Sequence, residues 1–229
     1  ASGGVFAEPP YQRPAGIAGD KEPLIVAGYR ALFTCSAHFI AGRPLAEIKK
    51  LELVDVANLG YPDPVIDEVN KRVSARDISG DIVQVAAFRD GMGCTLLPPH
   101  WGLSDVSRLP YVAHEAAPNV GAIAFPAGDK VDLPADGINA SHPNLAPILA
   151  RAFDSKSYGD ATVTSAVIVM KAGKIVAERY RPGFGVHSGY RTWSTTKSMT
   201  AALMAIASAQ GVLDLNGRAD IPEWGDGAD

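Results

Sequence analysis

Three stretches of the chain carry apolar residues at the spacing of a helix that buries one face. Residues 24–40 are mostly apolar and predict a helix with Cys35 on its buried side. Residues 44–53 mix apolar and charged side chains in the manner of a short amphipathic helix. A third helix is predicted to end near Asp154, because an apolar stripe of helical period precedes it, formed by Leu145, Ile148, Leu149, Ala152 and Phe153.

Two pairs of runs rich in β-branched residues predict strands. The first pair is 65–73 and 82–89, with a Ser-Gly-Asp turn between the two runs. The second pair is 162–170 and 175–180, joined tightly around Gly173 as in a β-hairpin. Together, these helices and strands predict the α+β fold class.

A fourth helix is predicted directly after a polar stretch that contains Ser194. Thr192, Ser194 and Thr195 are residues that cap a helix start with a side-chain oxygen. Gly211 supplies the stop, because glycine readily takes the left-handed conformation that ends many helices. The residues between are helix formers, and we expect 201–209 to be the buried face of this helix.

Proline, glycine and periodicity divide the chain into four parts. Residues 1–22 contain four glycines and three prolines and predict an extended arm. Residues 23–99 predict a small α+β module, and residues 100–139 a long connection with local turns. Residues 140–229 contain the third helix, the hairpin and the fourth helix, and predict the beginning of a second domain.

Composition and charge argue against two classes of protein. The 229-residue chain is 47% apolar and 20% charged, which allows a substantial core. Its net charge is −4, its pI is near 5.7 and it has no lysine- or arginine-rich run. Because phosphate binding needs a concentrated basic surface, no nucleic-acid partner is expected. No apolar stretch reaches the ~18 residues that cross a bilayer, so no membrane span is expected.

The cysteines leave two alternatives open, and the histidines predict no metal site. Cys35 and Cys94 allow one disulfide, which fits a periplasmic or secreted protein. They could equally be two buried free thiols, which leaves a cytoplasmic location open. His100, His114 and His142 are too scattered for a metal site, and no cysteine or histidine pair has ligand spacing.

Ser194 and Lys197 form the candidate chemical pair. They lie three residues apart in the predicted fourth helix, so their side chains project from the same face. At the positive end of a buried helix, the dipole and poor solvation both disfavour the ammonium, so Lys197 could act as a base for the Ser194 hydroxyl. The alternative is that Ser194 only caps the helix and Lys197 extends to solvent.

The order of elements around this pair is similar to that of a known family. A helix and a hairpin precede Ser194-Thr-Thr-Lys197, and Gly211-Val-Leu-Asp-Leu-Asn and Ile221-Pro-Glu-Trp follow it. On these motifs, residues 138–224 resemble the opening of the serine β-lactamase and penicillin-recognising hydrolase superfamily, in its class C-like and esterase branch. Ala177-Glu-Arg-Tyr-Arg-Pro-Gly-Phe specifically resembles the 6-aminohexanoate-dimer hydrolase group.

The resemblance implies a fold and a role for particular residues. The fold would be β-lactamase/transpeptidase-like, with Ser194 as the acyl-forming nucleophile, Lys197 as its base and no cofactor. The Ser194 backbone N–H would supply half of an oxyanion hole. The family also uses a Tyr-x-Asn or similar motif and a Lys/His-x-Gly motif. His187-Ser-Gly189 matches the Lys/His-x-Gly pattern. It precedes Ser194 instead of following it, however, so we interpret the match as a coincidence.

The implied function is a serine hydrolase that cleaves amide, ester or small peptide bonds in a small-molecule or short peptide substrate. The family continues past the position of Asp229, so the resemblance implies that following residues or a second chain complete the domain. The hairpin at 163–180 is then expected to lack sheet partners. The alternatives are a β-lactamase or D,D-peptidase, and a non-catalytic ligand-binding or sensor protein on the same scaffold.

Overall fold

The computed structural model describes residues 22–54, 60–99, 101, 103–111, 113, 118–134, 137–139, 142–160 and 162–218. The helices are α1 (Glu22–Cys35), a π-helix (Ser36–Ile40), α2 (Leu45–Leu51), a 3-10 helix (Leu103–Arg108), α3 (Leu145–Ala152) and α4 (Thr195–Ala209). The strands are β1 (Val65–Asp67), β2 (Arg72–Arg76), β3 (Val83–Arg89), β4 (Gly93–Leu96), β5 (Ala166–Lys171) and β6 (Lys174–Tyr180). The two sheets are antiparallel, which agrees with the predicted α+β class.

The chain divides into two compact units, residues 1–189 and 190–229, which we describe separately. The division into four parts at 22, 99 and 139 stays a prediction. Residues 1–21 of the predicted arm lie outside the described residues, and Glu22 already belongs to α1.

A four-stranded sheet in the order β1-β2-β3-β4 forms one layer of the N-terminal module. Val73 lies opposite Ala86, and Ala86 opposite Leu96, which places the three side chains on one face. α1 covers this face, and its Ala31 packs with Val73 and Ala86 in the main core. Gly28 permits the close approach of α1 to the sheet, since a Cβ there would lie 3.1 Å from Leu96 Cδ2. The predicted helix in 24–40 is therefore confirmed.

The run 65–73, predicted as one strand, consists of two strands and a tight turn, so that prediction is wrong. The Asp67 carboxylate accepts hydrogen bonds from the backbone N–H and the side-chain amide of Asn70, at 3.0 and 2.8 Å. Lys71 then takes a φ of +49°, which completes the reversal. The Asn70 side-chain bond, followed by its backbone bond, lowers the pKa of Asp67 to about 2. Asp and Asn favour turns through such bonds, and this local signal outweighs the β-branched neighbours.

A disulfide links the helix layer to the sheet layer. It joins Cys35, the last residue of α1, to Cys94 on β4, with their Cα atoms 6.1 Å apart. Of the two alternatives that the sequence leaves open, the structure contains the bonded pair. The bond closes a sequence separation of 59 residues, so it constrains most of the N-terminal module.

α2 confirms the short amphipathic helix predicted within 44–53. Its Ile48 is fully buried and packs with Leu53 and with Phe33 of α1 in a second, smaller core. The charged side chains Lys49 and Lys50 lie in the last turn, where positive charge is favourable next to the helix carboxyl end.

α1 and the π-helix together form a 19-residue helical segment, Glu22–Ile40, that is long and apolar enough to cross a membrane by length and composition. The expectation that no stretch reaches this length is therefore wrong. Half of the segment is buried in the structure, and it packs on the sheet and is bonded to β4. A core helix of a soluble protein passes the same test of length and composition, so the segment is weak evidence for a membrane span.

The predicted hairpin is confirmed as β5 and β6, which turn at Ala172 and Gly173. α3 packs on this hairpin, and Leu149 forms a third core with Ile138 and Ala177. The predicted apolar stripe of α3 holds only in part. Leu149 is 2% exposed, whereas its neighbour Ile148 is 45% exposed and faces away from the hairpin core.

The outer edge of β6 is paired with residues 137–139. The Glu178 N–H donates to the Gly137 carbonyl at 2.8 Å, and the Asn139 N–H donates to the Val176 carbonyl at 2.9 Å. This contact is an isolated bridge between Ile138 and Ala177 that adds no strand to the two-stranded sheet, so the expectation that the hairpin lacks sheet partners stays a prediction. Among the described residues no strand pairs with the other edge, formed by β5, whose Ile168 is half exposed.

The second unit is described from 190 to 218 and contains α4. α4 ends at Ala209, and Gly211 supplies the predicted stop with a φ of +73°. The Val212 N–H donates to the Ala207 carbonyl at 2.9 Å in a Schellman arrangement. The predicted burial of 201–209 is wrong, since no side chain of α4 is buried and Leu203 is 66% exposed. Helical period alone does not bury a face, because burial needs a second element to pack against.

Candidate active site

The side chains of Ser194 and Lys197 meet at the beginning of α4. Lys197 Nζ donates a hydrogen bond to Ser194 Oγ at 2.8 Å. The backbone supports this approach, because the Lys197 N–H also donates to the Ser194 carbonyl at 3.0 Å in the first turn. The three-residue spacing thus gives the proximity that a nucleophile and its base require.

Ser194 does not cap the helix through its side chain, so the predicted cap is wrong at this residue. Its backbone is helical, with φ −67° and ψ −10°, and its hydroxyl makes no capping hydrogen bond. A capping side chain needs an extended backbone at that position. The Thr192 hydroxyl does not cap the helix either, because it forms a hydrogen bond with the Thr196 hydroxyl at 2.7 Å. The Ser194 hydroxyl is therefore engaged by Lys197 instead of by the helix start.

Both members of the pair are exposed to solvent in the described part of the second unit. The sequence argument placed Lys197 in a poorly solvated setting, and the exposure of α4 contradicts that premise. Burial at this site would have to come from groups that cover the face of α4. What the described residues supply is the geometry of the pair and its location in the first turn of a helix.

Trp193, immediately before the candidate nucleophile, has a φ of +45°. The left-handed region costs a non-glycine residue about 1–2 kcal/mol, and such strain is often found at functional sites. The Arg191 guanidinium carbon lies 4.6 Å from the centre of the Trp193 ring, within cation–π range. No sequence signal indicates this conformation, since tryptophan is not a residue that favours positive φ.

The Ser194 backbone N–H is a candidate oxyanion donor. Among residues 190–218, the N–H groups of Thr195, Thr196 and Lys197 donate to carbonyls within the first turn, whereas the Ser194 N–H donates to none. An N–H at a helix start, where the dipole favours negative charge, can stabilise an oxyanion. The described residues therefore fit one of the two oxyanion donors implied by the resemblance.

The remaining sequence candidates contribute no further group to this pair. Cys35 and Cys94 are bonded to each other, so neither is a free nucleophile. His187 is exposed in a loop, where the Gly185 N–H donates to Ser188 Oγ at 2.8 Å. Within the described residues, no group of three acidic, cysteine or histidine side chains could hold a metal ion.

The first unit also contains an open cleft of about 730 Å³. It is lined by Leu133, Pro134, Gly137, Ile138, Ala146, Glu178, Arg179 and Tyr180. Its lining carries no serine, threonine or cysteine, and the Tyr180 hydroxyl donates to Glu178. The cleft therefore offers space but no nucleophile.

Comparison with known proteins adds no relative to these observations. No protein-family model, no curated protein and no solved structure matches the chain. The resemblance to the β-lactamase superfamily therefore remains an expectation from the sequence motifs in residues 138–224.

Proposed function

We propose that the protein is a serine hydrolase that cleaves amide, ester or small peptide bonds through an acyl-enzyme, on a β-lactamase/transpeptidase-like fold. The observation that carries this proposal is the 2.8 Å hydrogen bond from Lys197 Nζ to Ser194 Oγ at the start of α4. A hydroxyl and an amine at this distance are close enough for direct proton transfer.

The reaction begins when Ser194 Oγ attacks the carbonyl carbon of the substrate. As the new C–O bond forms, the hydroxyl proton passes to Lys197 Nζ in its neutral amine form. The carbonyl oxygen becomes negatively charged, and the Ser194 N–H at the helix start donates to it. The intermediate then collapses and releases an amine or alcohol, which takes the proton from Lys197. Water then attacks the carbonyl carbon of the resulting ester and passes a proton to Lys197 Nζ; the bond to Ser194 Oγ breaks, the carboxylic acid leaves, and Lys197 returns the proton to Oγ.

The disulfide supports a periplasmic or secreted location, because such bonds persist in oxidising compartments. The substrate would then be a small molecule or a short peptide that is available outside the cytoplasm. The proposed chemistry uses no metal or other cofactor.

The test is turnover of a chromogenic ester and of an amide dimer by Ser194→Ala, Lys197→Met and Ser198→Ala. Ser198 is the matched control, since it is an exposed serine on the same helix. We expect Ser194→Ala and Lys197→Met each to lower kcat/KM by about a thousandfold or more, and Ser198→Ala to retain it. Undiminished turnover by Ser194→Ala would exclude the proposal.

Mass spectrometry of the protein incubated with substrate or labelled penicillin separates the alternatives. A transient adduct on Ser194 with product release supports the hydrolase. Turnover of the penicillin would instead assign a β-lactamase. Penicillin acylation together with cleavage of a D,D-peptide would assign a D,D-peptidase. A persistent adduct without product would assign a ligand-binding or sensor protein.

A further inference from the structure

A buried arginine of the N-terminal module holds the segment that leads to Ser194. Arg43 is 8% exposed, and its Nη2 donates to the Gly189 carbonyl at 2.8 Å. Its Nη1 forms an ion pair with Glu52, and its guanidinium carbon lies 4.7 Å from the centre of the Phe184 ring. One cation thus contacts both ends of the segment 184–189, which we call the approach segment.

The base from which Arg43 extends is itself fixed. The Arg43 N–H donates to the Ala37 carbonyl at 3.0 Å, and His38 Nδ1 donates to the Arg43 carbonyl at 3.0 Å. His38 Nε2 lies 2.7 Å from the Glu68 carboxylate in the β1–β2 turn. These contacts lie on and beside the π-helix, which follows Cys35 of the disulfide. The guanidinium therefore extends from a segment that several hydrogen bonds and an ion pair hold in place.

The approach segment fits closely against this base. A Cβ on Gly189 would lie 3.3 Å from the Cβ of Ala41, so the backbone at Gly189 passes directly over that residue. The Ser188 N–H donates to the Gly185 carbonyl at 3.0 Å, which forms a compact turn within the segment. Gly189 stands five residues before Ser194 in the sequence.

We propose that Arg43 is a positioning residue for Ser194: by binding the Gly189 carbonyl it fixes the chain that carries the nucleophile. This role rests on the proposed function, because it matters for turnover only if Ser194 is acylated. A hydrogen bond from a buried cation is stronger than a neutral one, and catalysis is sensitive to displacements of about 1 Å.

The test compares Arg43→Met and Arg43→Lys with Arg30→Met in the full chain. Arg30 is a closely matched control, since it is 1% exposed, donates to the Pro62 carbonyl at 2.8 Å and lies 5.3 Å from the Tyr61 ring centre. Hydrogen exchange is measured for peptides that cover 60–63 and 184–194. Turnover of the chromogenic ester is normalised to the fraction of Ser194 that the substrate acylates.

We expect Arg43→Met to speed exchange in 184–189 about 10- to 100-fold and to lower normalised kcat about tenfold or more, with a smaller change in KM. Arg30→Met should speed exchange at 60–63 only. Arg43→Lys keeps the charge but not the fork that reaches both Glu52 and Gly189, so its effect should be intermediate. The Arg43→Lys variant also keeps the proposal testable if Arg43→Met does not fold.

Three results would overturn the positioning role. These are unchanged exchange in 184–189 in the Arg43 variants, an equal loss of turnover in Arg30→Met, or unchanged normalised kcat in Arg43→Met. Wild-type turnover by Ser194→Ala would overturn the proposed function together with this role. Loss of turnover in Ser194→Ala beside full turnover in Arg43→Met overturns the positioning role alone.

Discussion

The disulfide between Cys35 and Cys94 should supply a large share of the stability of the N-terminal module. The perturbation is the double substitution Cys35→Ala/Cys94→Ala, compared with the wild-type chain before and after reduction. The bond closes a separation of 59 residues. In the chain-entropy model, closing a loop of this length lowers the entropy of the unfolded chain by about 14 cal/mol/K, which stabilises the folded state by about 4 kcal/mol at 25 °C.

Urea unfolding followed by far-UV circular dichroism measures this contribution. With a slope of about 2 kcal/mol/M, a loss of about 4 kcal/mol lowers the unfolding midpoint by about 2 M. Hydrogen exchange in α1 and β4 assigns the change to the module, because the bond joins these two elements. Reduction of the wild-type protein should reproduce the shift, whereas reductant should leave the double variant unchanged.

A midpoint shift below about 0.5 M, equivalent to about 1 kcal/mol at this slope, would refute the reasoning. It would mean that α1 and the sheet stay together through their apolar contacts alone. An equal effect of reductant on the double variant would show that the reagent acts elsewhere than on this bond.

Two further predictions concern the turn at Asp67 and the core of α3. The pKa of Asp67 is about 2 in the folded protein, below its usual value in an unfolded chain, so the ionised carboxylate stabilises the fold above about pH 4 and this stabilisation is lost as the pH falls toward 2. Asp67→Asn should flatten the pH dependence of the urea midpoint in that interval, and an unchanged profile would contradict this. Leu149→Ala should cost about 2–4 kcal/mol of stability, because Leu149 is buried, whereas the half-exposed Ile148→Ala should cost less than about 1 kcal/mol, and equal costs by urea unfolding would contradict the assignment of the core face.

The elements that the sequence predicts well are those whose signal is local. Five such features lie close to their predicted positions: α1, α2, α3, the β5–β6 hairpin and the stop at Gly211. The error at 65–73 is also local in origin, because the Asp67–Asn70 turn is encoded in four residues but is masked by β-branched neighbours. The sequence signal for this turn is the Asp and Asn pair, whose side chains favour turns through hydrogen bonds to nearby backbone.

Burial and long-range pairing were much harder to predict. The apolar side chains of α4 suggest a buried helix, yet they are exposed, because a sequence pattern does not say whether a packing partner is present. The pairing of 137–139 with β6 joins residues about forty positions apart in the sequence, and no periodicity specifies that register.

The candidate site likewise combines a local feature that the sequence predicts with long-range contacts that it does not. Its chemistry is local, since Ser194 and Lys197 are three residues apart and any helix brings their side chains together. The sequence by itself therefore determines the pair, the helix that presents it and the existence of the hairpin before it. The tertiary structure alone decides that Cys35 is bonded to Cys94 and that Arg43 holds Gly189 from 146 positions away. These contacts depend on how distant segments fold onto one another, and no local pattern encodes that.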